Sequence, residues 1–147
     1  MKTLSTTLGV FCGCTAVRWY LHRSSRRDTF LAGERIRLTT LWNTGAAFSL
    51  PLPPKALPVL SGGMLGVIWA GRRRCPLGAG LALGGGLSNL WERCRWGRVY
   101  DYLQFPCVPG KLGGYVFNLA DLAVFTGGGL LLAGGRKQKS DSLFPAR

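Results

Sequence analysis

VFNLADLAVF, residues 116–125, decides how this chain is read. One carboxylate, Asp121, stands in a run that is otherwise apolar save for Asn118. The run extends over residues 115–134, and three others resemble it: 4–20, 56–70 and 76–91. Together they predict an all-α integral membrane protein, a four-helix transmembrane bundle forming one domain over residues 1–147, with a basic cytoplasmic tail at 136–147. The middle two runs fall short of the ~20 residues of a full span and need snorkelling arginines or local thinning to complete them. Gly62 with Gly66, and Gly80 with Gly84, are small residues one turn apart, a pattern that lets helices approach closely in lipid. The first run follows Lys2, has no small-residue cleavage site after it and closes on Arg18 and Trp19. It is expected to be a retained span and not a removed signal.

Composition agrees. Apolar residues make up 47% of the 147 and charged residues 17%, with 22 glycines. Disorder needs low hydrophobicity, and a soluble domain carries about 25% charged residues, so both fit poorly. The formal charge of +13 comes from 19 Lys and Arg against 6 Asp and Glu. These cations sit in knots between apolar runs (Arg72 to Arg74; Arg136, Lys137, Lys139), as at membrane-helix ends, so nucleic acid is not expected as a partner. The five cysteines have no metal-ligand spacing, and His22 is the only histidine, so no metal site is expected. A Ser-His-Asp arrangement would have to use His22, and no His-Glu-x-x-His helix or phosphate loop is present.

Orientation is contested by the charges. The arginine turn at residues 72–74 and the tail argue for the cytoplasmic side, yet residues 23–37 hold five arginines on the other face. We favour the short turn and the tail, because a longer loop can cross with its charges.

With so few acids, each can be weighed. Asp28, Glu34 and Asp141 have polar neighbours. An ionisable group at Asp121 costs at least about 2.5 kcal/mol on insertion scales, which marks it as functional; a structural pair with a buried arginine is the alternative. Asp101, in the strand-like GRVYDYLQF, shares its membrane face. Two carboxylates a few ångströms apart cannot both ionise, so they share a proton. One then acts as a base on water while the other polarises a scissile carbonyl. Asn118, three residues before Asp121, projects to the same side of a helix or caps its N-terminus. Asn89 ends the third run, with Arg93 four residues on.

Four blocks, NTGAAFS (43–49), GGLSNLWER (85–93), GRVYDY (97–102) and FNLAD (117–121), resemble in order and spacing the signature blocks of the lipoprotein signal peptidases, signal peptidase II. The resemblance implies a multi-pass protein of the bacterial inner (plasma) membrane, with four helices and a small extracytoplasmic β-cradle. It implies a metal-free, cofactor-free aspartic endopeptidase that cuts diacylglyceryl-modified prolipoproteins just before the lipidated cysteine. Its partners would be those precursors and membrane lipid, and a monomer is expected. By position, Asp101 and Asp121 resemble the catalytic dyad, and Asn89, Arg93 and Asn118 the polar residues around dyad and substrate. Asn43 and Gly45 fall in the block beside the cradle. The chain departs from the family at Ser88 (usually Gly), Glu92 (usually Asp) and Cys14 and Arg18 (usually Asp and Lys). A rival reading is a small transport or assembly component that uses Asp121 as a proton or ion-pair site and has no need of Asp101.

Overall fold

The structure, a computed structural model, describes residues 1–24, 28–45 and 56–143, with side chains as far as Gly135. The proline cluster before the second helix, the NTGAAFS block beyond Gly45 and residues 144–147 of the expected basic tail lie outside the described residues. In chain order the elements are α1 (Lys2–Arg23), β1 (Thr29–Leu31), β2 (Ile36–Asn43), α2 (Ala56–Gly71), α3 (Pro76–Trp96), β3 (Val99–Gln104), a 3-10 turn (Gly110–Gly114), β4 (Val116–Phe117) and α4 (Leu119–Leu143). Among the described residues the fold is thus four helices and one small sheet.

Helix ends follow capping chemistry and not hydropathy, which accounts for three differences from the expected runs of 4–20, 76–91 and 115–134. The α1 helix continues to Arg23 and α3 to Trp96, because a polar residue forms the backbone ladder as well as an apolar one. Pro76 opens α3, where its missing N–H removes no bond, and Gly97 closes it at φ +69, donating to the Arg93 carbonyl. The α4 helix starts at Leu119 and not at Tyr115; residues 116–117 form a strand instead. Asp121 therefore lies in the first turn of α4, and not deeper in, as a helix starting at Tyr115 would place it.

At the centre of the bundle stands α3, packing on α1, α2 and α4. Its glycines make this possible. A Cβ on Gly80 would stand 2.6 Å from Thr6 Cβ, and one on Gly84 2.6 Å from Val10 Cβ and 2.7 Å from the Thr7 carbonyl oxygen. These pairings run in the same sense along both helices, so α1 and α3 are parallel. On another side, Gly78 and Gly85 abut α4. Gly62 and Gly66 differ from expectation: a Cβ at either meets nothing within 4 Å, so this pair makes no close helix contact.

The sheet is antiparallel throughout, in the order β1-β2-β3-β4. Leu38 faces Leu103 but Leu41 faces Asp101, so β2 holds one extra residue between them. Beyond this bulge, Asn43 lies opposite Val99.

Among the described residues, no helix is by itself long and apolar enough to cross a membrane. The α2 helix has 16 residues; α1 carries Lys2, a run of hydroxyls and Arg18; α3 ends in Ser88, Asn89, Glu92 and Arg93.

The glycine geometry makes opposite predictions for two similar substitutions. Gly84→Ala should destabilise by about 1–3 kcal/mol through overpacking. Gly66→Ala, in open space within a helix, should stabilise by about 0.5–1 kcal/mol. Unfolding midpoints in detergent would check both signs.

Candidate active site

Four elements converge at one end of the bundle. The end of β2 supplies Asn43, with Gly45 two residues on; α3 supplies Asn89 and Arg93; β3 supplies Asp101; the start of α4 supplies Asn118 and Asp121. All seven residues singled out in the sequence are brought together here. In an antiparallel pair, opposite residues share a face and diagonal neighbours two apart lie within reach. Asn43, opposite Val99, is thereby diagonal to Asp101.

Three asparagines hold the two carboxylates. Asn43 Nδ2 donates to Asp101 Oδ2 (3.0 Å), and Asn118 Nδ2 to Asp101 Oδ1 (2.8 Å). Asn89 Nδ2 donates to Asp121 Oδ1 (2.8 Å), and the Asn118 backbone N–H to Asp121 Oδ2 (3.0 Å). Each acidic oxygen so receives one neutral donor. Asn118 also donates to Asn89 Oδ1 (3.1 Å), and its own Oδ1 accepts the Asp121 backbone N–H (2.9 Å). The last bond and its reciprocal form a capping box, satisfying two of the amides that a helix start leaves open. Asn118 is therefore both a cap and a bridge between the carboxylates. Asn43 Oδ1 accepts the Gly45 N–H (2.9 Å), fixing its amide, and Arg93 reaches the Gly45 carbonyl at 3.4 Å.

Asp101 is 2% exposed and Asn118 4%. Burial pushes the Asp101 carboxyl up to about 7, with the nearby Asp121 charge adding to the rise; the donors Asn43 and Asn118 and the Arg93 charge oppose it. This group therefore holds a proton near neutrality.

Beneath the site lies a contact that sequence reading did not find. Glu92, 4% exposed, accepts the backbone N–H of Tyr100 (2.9 Å) and pairs with Arg18 of α1 (3.4 Å). It so ties α1, α3 and β3 together next to Asp101. Both partners are among the four positions where the chain departs from the family it resembles, each with a longer side chain, and that shared departure was the available signal. Tyr102, buried, accepts the Leu119 N–H on its hydroxyl (3.1 Å), a third contact at the α4 start. Ser88 and Cys14 are buried. His22 packs edge-on against Trp42 and Tyr100. Among the described residues, no three His, Cys, Asp or Glu side chains gather as a metal site.

The family model for signal peptidase (SPase) II matches residues 8–135. This chain belongs to the signal peptidase II family. Its relatives in that family include the lipoprotein signal peptidases of Pelotomaculum thermopropionicum (42% identical over 103 residues, 64% of this chain and 63% of that one) and Chlorobaculum parvum (39% over 115 residues, 69% and 72%). The match thus spans a little under two thirds of the Pelotomaculum protein's length. In fold, this signal peptidase II family chain is similar to a bacterial membrane enzyme solved by the in meso method at 2.3 Å, with a TM-score of 0.83 at 15% identity over 99% of this chain and 93% of that one.

The buried acid has a pH signature. The unfolded chain releases the Asp101 proton near pH 3.8, while the folded chain keeps it to about 7. The folded state binds more protons between these values, so this group's stabilisation is full below about pH 4 and is lost as pH rises to about 7. Asp101→Asn, which cannot titrate, should flatten that part of the stability curve, measured by denaturation in detergent from pH 4 to 8.

Proposed function

We propose that this chain is a membrane-embedded aspartic endopeptidase that removes signal peptides from diacylglyceryl-modified prolipoproteins, cutting just before the lipidated cysteine. The observation that carries the proposal is the asparagine cradle, which gathers Asp101 and Asp121 from different elements into one buried site. Asp101, protonated, donates to the oxygen of the scissile carbonyl. Asp121 takes a proton from the attacking water, giving a tetrahedral diol. The diol then returns a proton to Asp101 while Asp121 protonates the leaving amine, so the dyad ends as it began. Arg93, Asn89, Asn43 and Gly45 position the carboxylates and the edge where the peptide lies.

A membrane setting is supported by the family, by the membrane enzymes of like fold and by the surface. Leu4, Leu8, Val59, Leu60, Met64, Val67, Leu77 and Leu132 are exposed along the helices. The hydroxyls of Ser5, Thr6 and Thr7 bond back to carbonyls of α1, which lowers their cost in lipid. Helices that fall short individually cross by packing on α3, with arginines at their ends. We place the dyad and the sheet on the extracytoplasmic side of the inner membrane. In a cysteine-free background, an impermeant thiol reagent should modify Thr40→Cys and spare Arg73→Cys; the reverse pattern would overturn this placement.

The dyad is tested on a purified, diacylglyceryl-modified precursor. Asp101→Asn or Asp121→Asn should each lower turnover by about 10²–10⁴-fold. The double variant should be little worse, since the pair acts as a unit. Asp28→Asn, at the surface and paired with Arg37, should stay near normal. A transport or assembly component using Asp121 alone would instead tolerate Asp101→Asn, and an active Asp101→Asn protein would refute the dyad.

A further inference from the structure

At the end of the bundle opposite the carboxylates, the start of α1 and the end of α2 enclose a second concavity of about 510 Å³. Lys2, Leu4, Trp69, Arg72, Arg73 and Pro76 line it. The Arg72 guanidinium lies 4.0 Å from the Trp69 ring centre and donates to the Trp69 carbonyl at 2.7 Å. It is held in place before any ligand arrives. Among the described residues, neither ion pair reaches these cations: one joins Arg18 to Glu92 and the other Arg37 to Asp28. The pocket is thus an uncompensated positive site with one oriented donor fork.

Leu4 also lines a groove of about 660 Å³, together with Leu8, Phe11, Leu87, Leu90 and Trp91. Helical geometry places this groove. Gly86 faces Leu65 of α2, while Gly80 and Gly84 face α1. At about 100° per residue, the strip through Leu87, Leu90 and Trp91 falls between those two faces. The groove and the basic pocket therefore open on the same side of α3 and join at Leu4. From Gly80, level with the start of α1, to Cys94 at the far end of the groove, α3 rises roughly 20 Å. One leaflet of hydrocarbon is about 15 Å deep, so a single acyl chain fits along it.

We propose that pocket and groove together bind one anionic phospholipid, its phosphate on Arg72, Arg73 and Lys2 and an acyl chain along the α1–α3 groove. Charge complementarity selects the occupant: a cationic pocket with no acid among its lining residues, joined to an apolar track, matches an anionic amphiphile. A free phosphate has no use for the track, and a polar macromolecule has none either. Basic pockets between helices at a membrane surface bind anionic headgroups by the same physics. The inference rests on the membrane reading above but not on peptide cleavage, so it is tested by lipid retention.

Native mass spectrometry of the detergent-solubilised protein would compare dioleoyl phosphatidylglycerol, dioleoyl phosphatidylcholine and glycerol phosphate. The anionic lipid should be retained in preference to the zwitterionic one, and glycerol phosphate should not be retained. Arg72→Gln with Arg73→Gln should weaken retention by roughly tenfold or more. Lysine at both positions should restore most of it. Leu8→Gln should weaken the lipid through the groove. Asp101→Asn should retain lipid as the unchanged protein does, which separates this site from the dyad. Equal retention of both lipids, indifference to the two glutamines, or displacement of the lipid by an RNA oligonucleotide would each overturn the proposal.

Discussion

The site depends on one amide side chain. Asn118 Oδ1 caps α4, its Nδ2 donates to Asp101 and to Asn89, and the backbone N–H of the same residue donates to the Asp121 carboxylate. Burying two acids is costly unless each oxygen finds a donor. Here the donors are neutral, so the carboxylates are held without a cation quenching them, and a proton can pass between states. The helix start and the carboxylate pair are therefore one object. A chain in which α4 has not begun at Leu119 cannot hold the two carboxylates in this arrangement, because the backbone N–H that Asp121 accepts is freed at the strand-to-helix transition at Asn118.

Around that point the bundle acts as a frame. The α3 helix presents a bare glycine surface to α1 and to α4, so the backbones approach closely; the start of α4 registers against Asn89 and the end of α1 against Glu92. The Arg18–Glu92 pair then fastens β3 through the Tyr100 N–H, one residue from Asp101. Desolvated ion pairs of this kind add little net stability but are costly to break singly. Their value here is positional: three elements meet at a residue adjacent to the acid.

Much of this was legible before the structure. The four helices follow from the apolar runs, and Asp101 and Asp121 stood out because acids are so scarce. The first turn of α4 was misplaced because Tyr115, Val116 and Phe117 are as apolar as the helix they precede, so hydropathy ran through the boundary. The spacing of Asn118 to Asp121 held the correction, being the capping-box interval. Asn43 and Gly45 were reached only through the family blocks, since no local pattern ties a β2 residue to a distant acid. Gly62 with Gly66 shows the opposite failure: spacing states that a helix can be approached closely, and only the packing of its neighbours decides whether it is.

The bulge in β2 has a consequence for descent. Side chains on a strand alternate, so a single residue added or removed exchanges the two faces. With its extra residue, β2 sets Asn43 opposite Val99 and hence on the Asp101 side. Were the same sequence to run on from Leu38 as a regular ladder, Asn43 would fall opposite Arg98, on the face of Tyr100, and Trp42 would be turned toward the acid. The bulge therefore acts as a register joint: it absorbs one residue between Leu38 and Leu41, while a residue inserted between Leu41 and Asn43 would carry the asparagine to the opposite face.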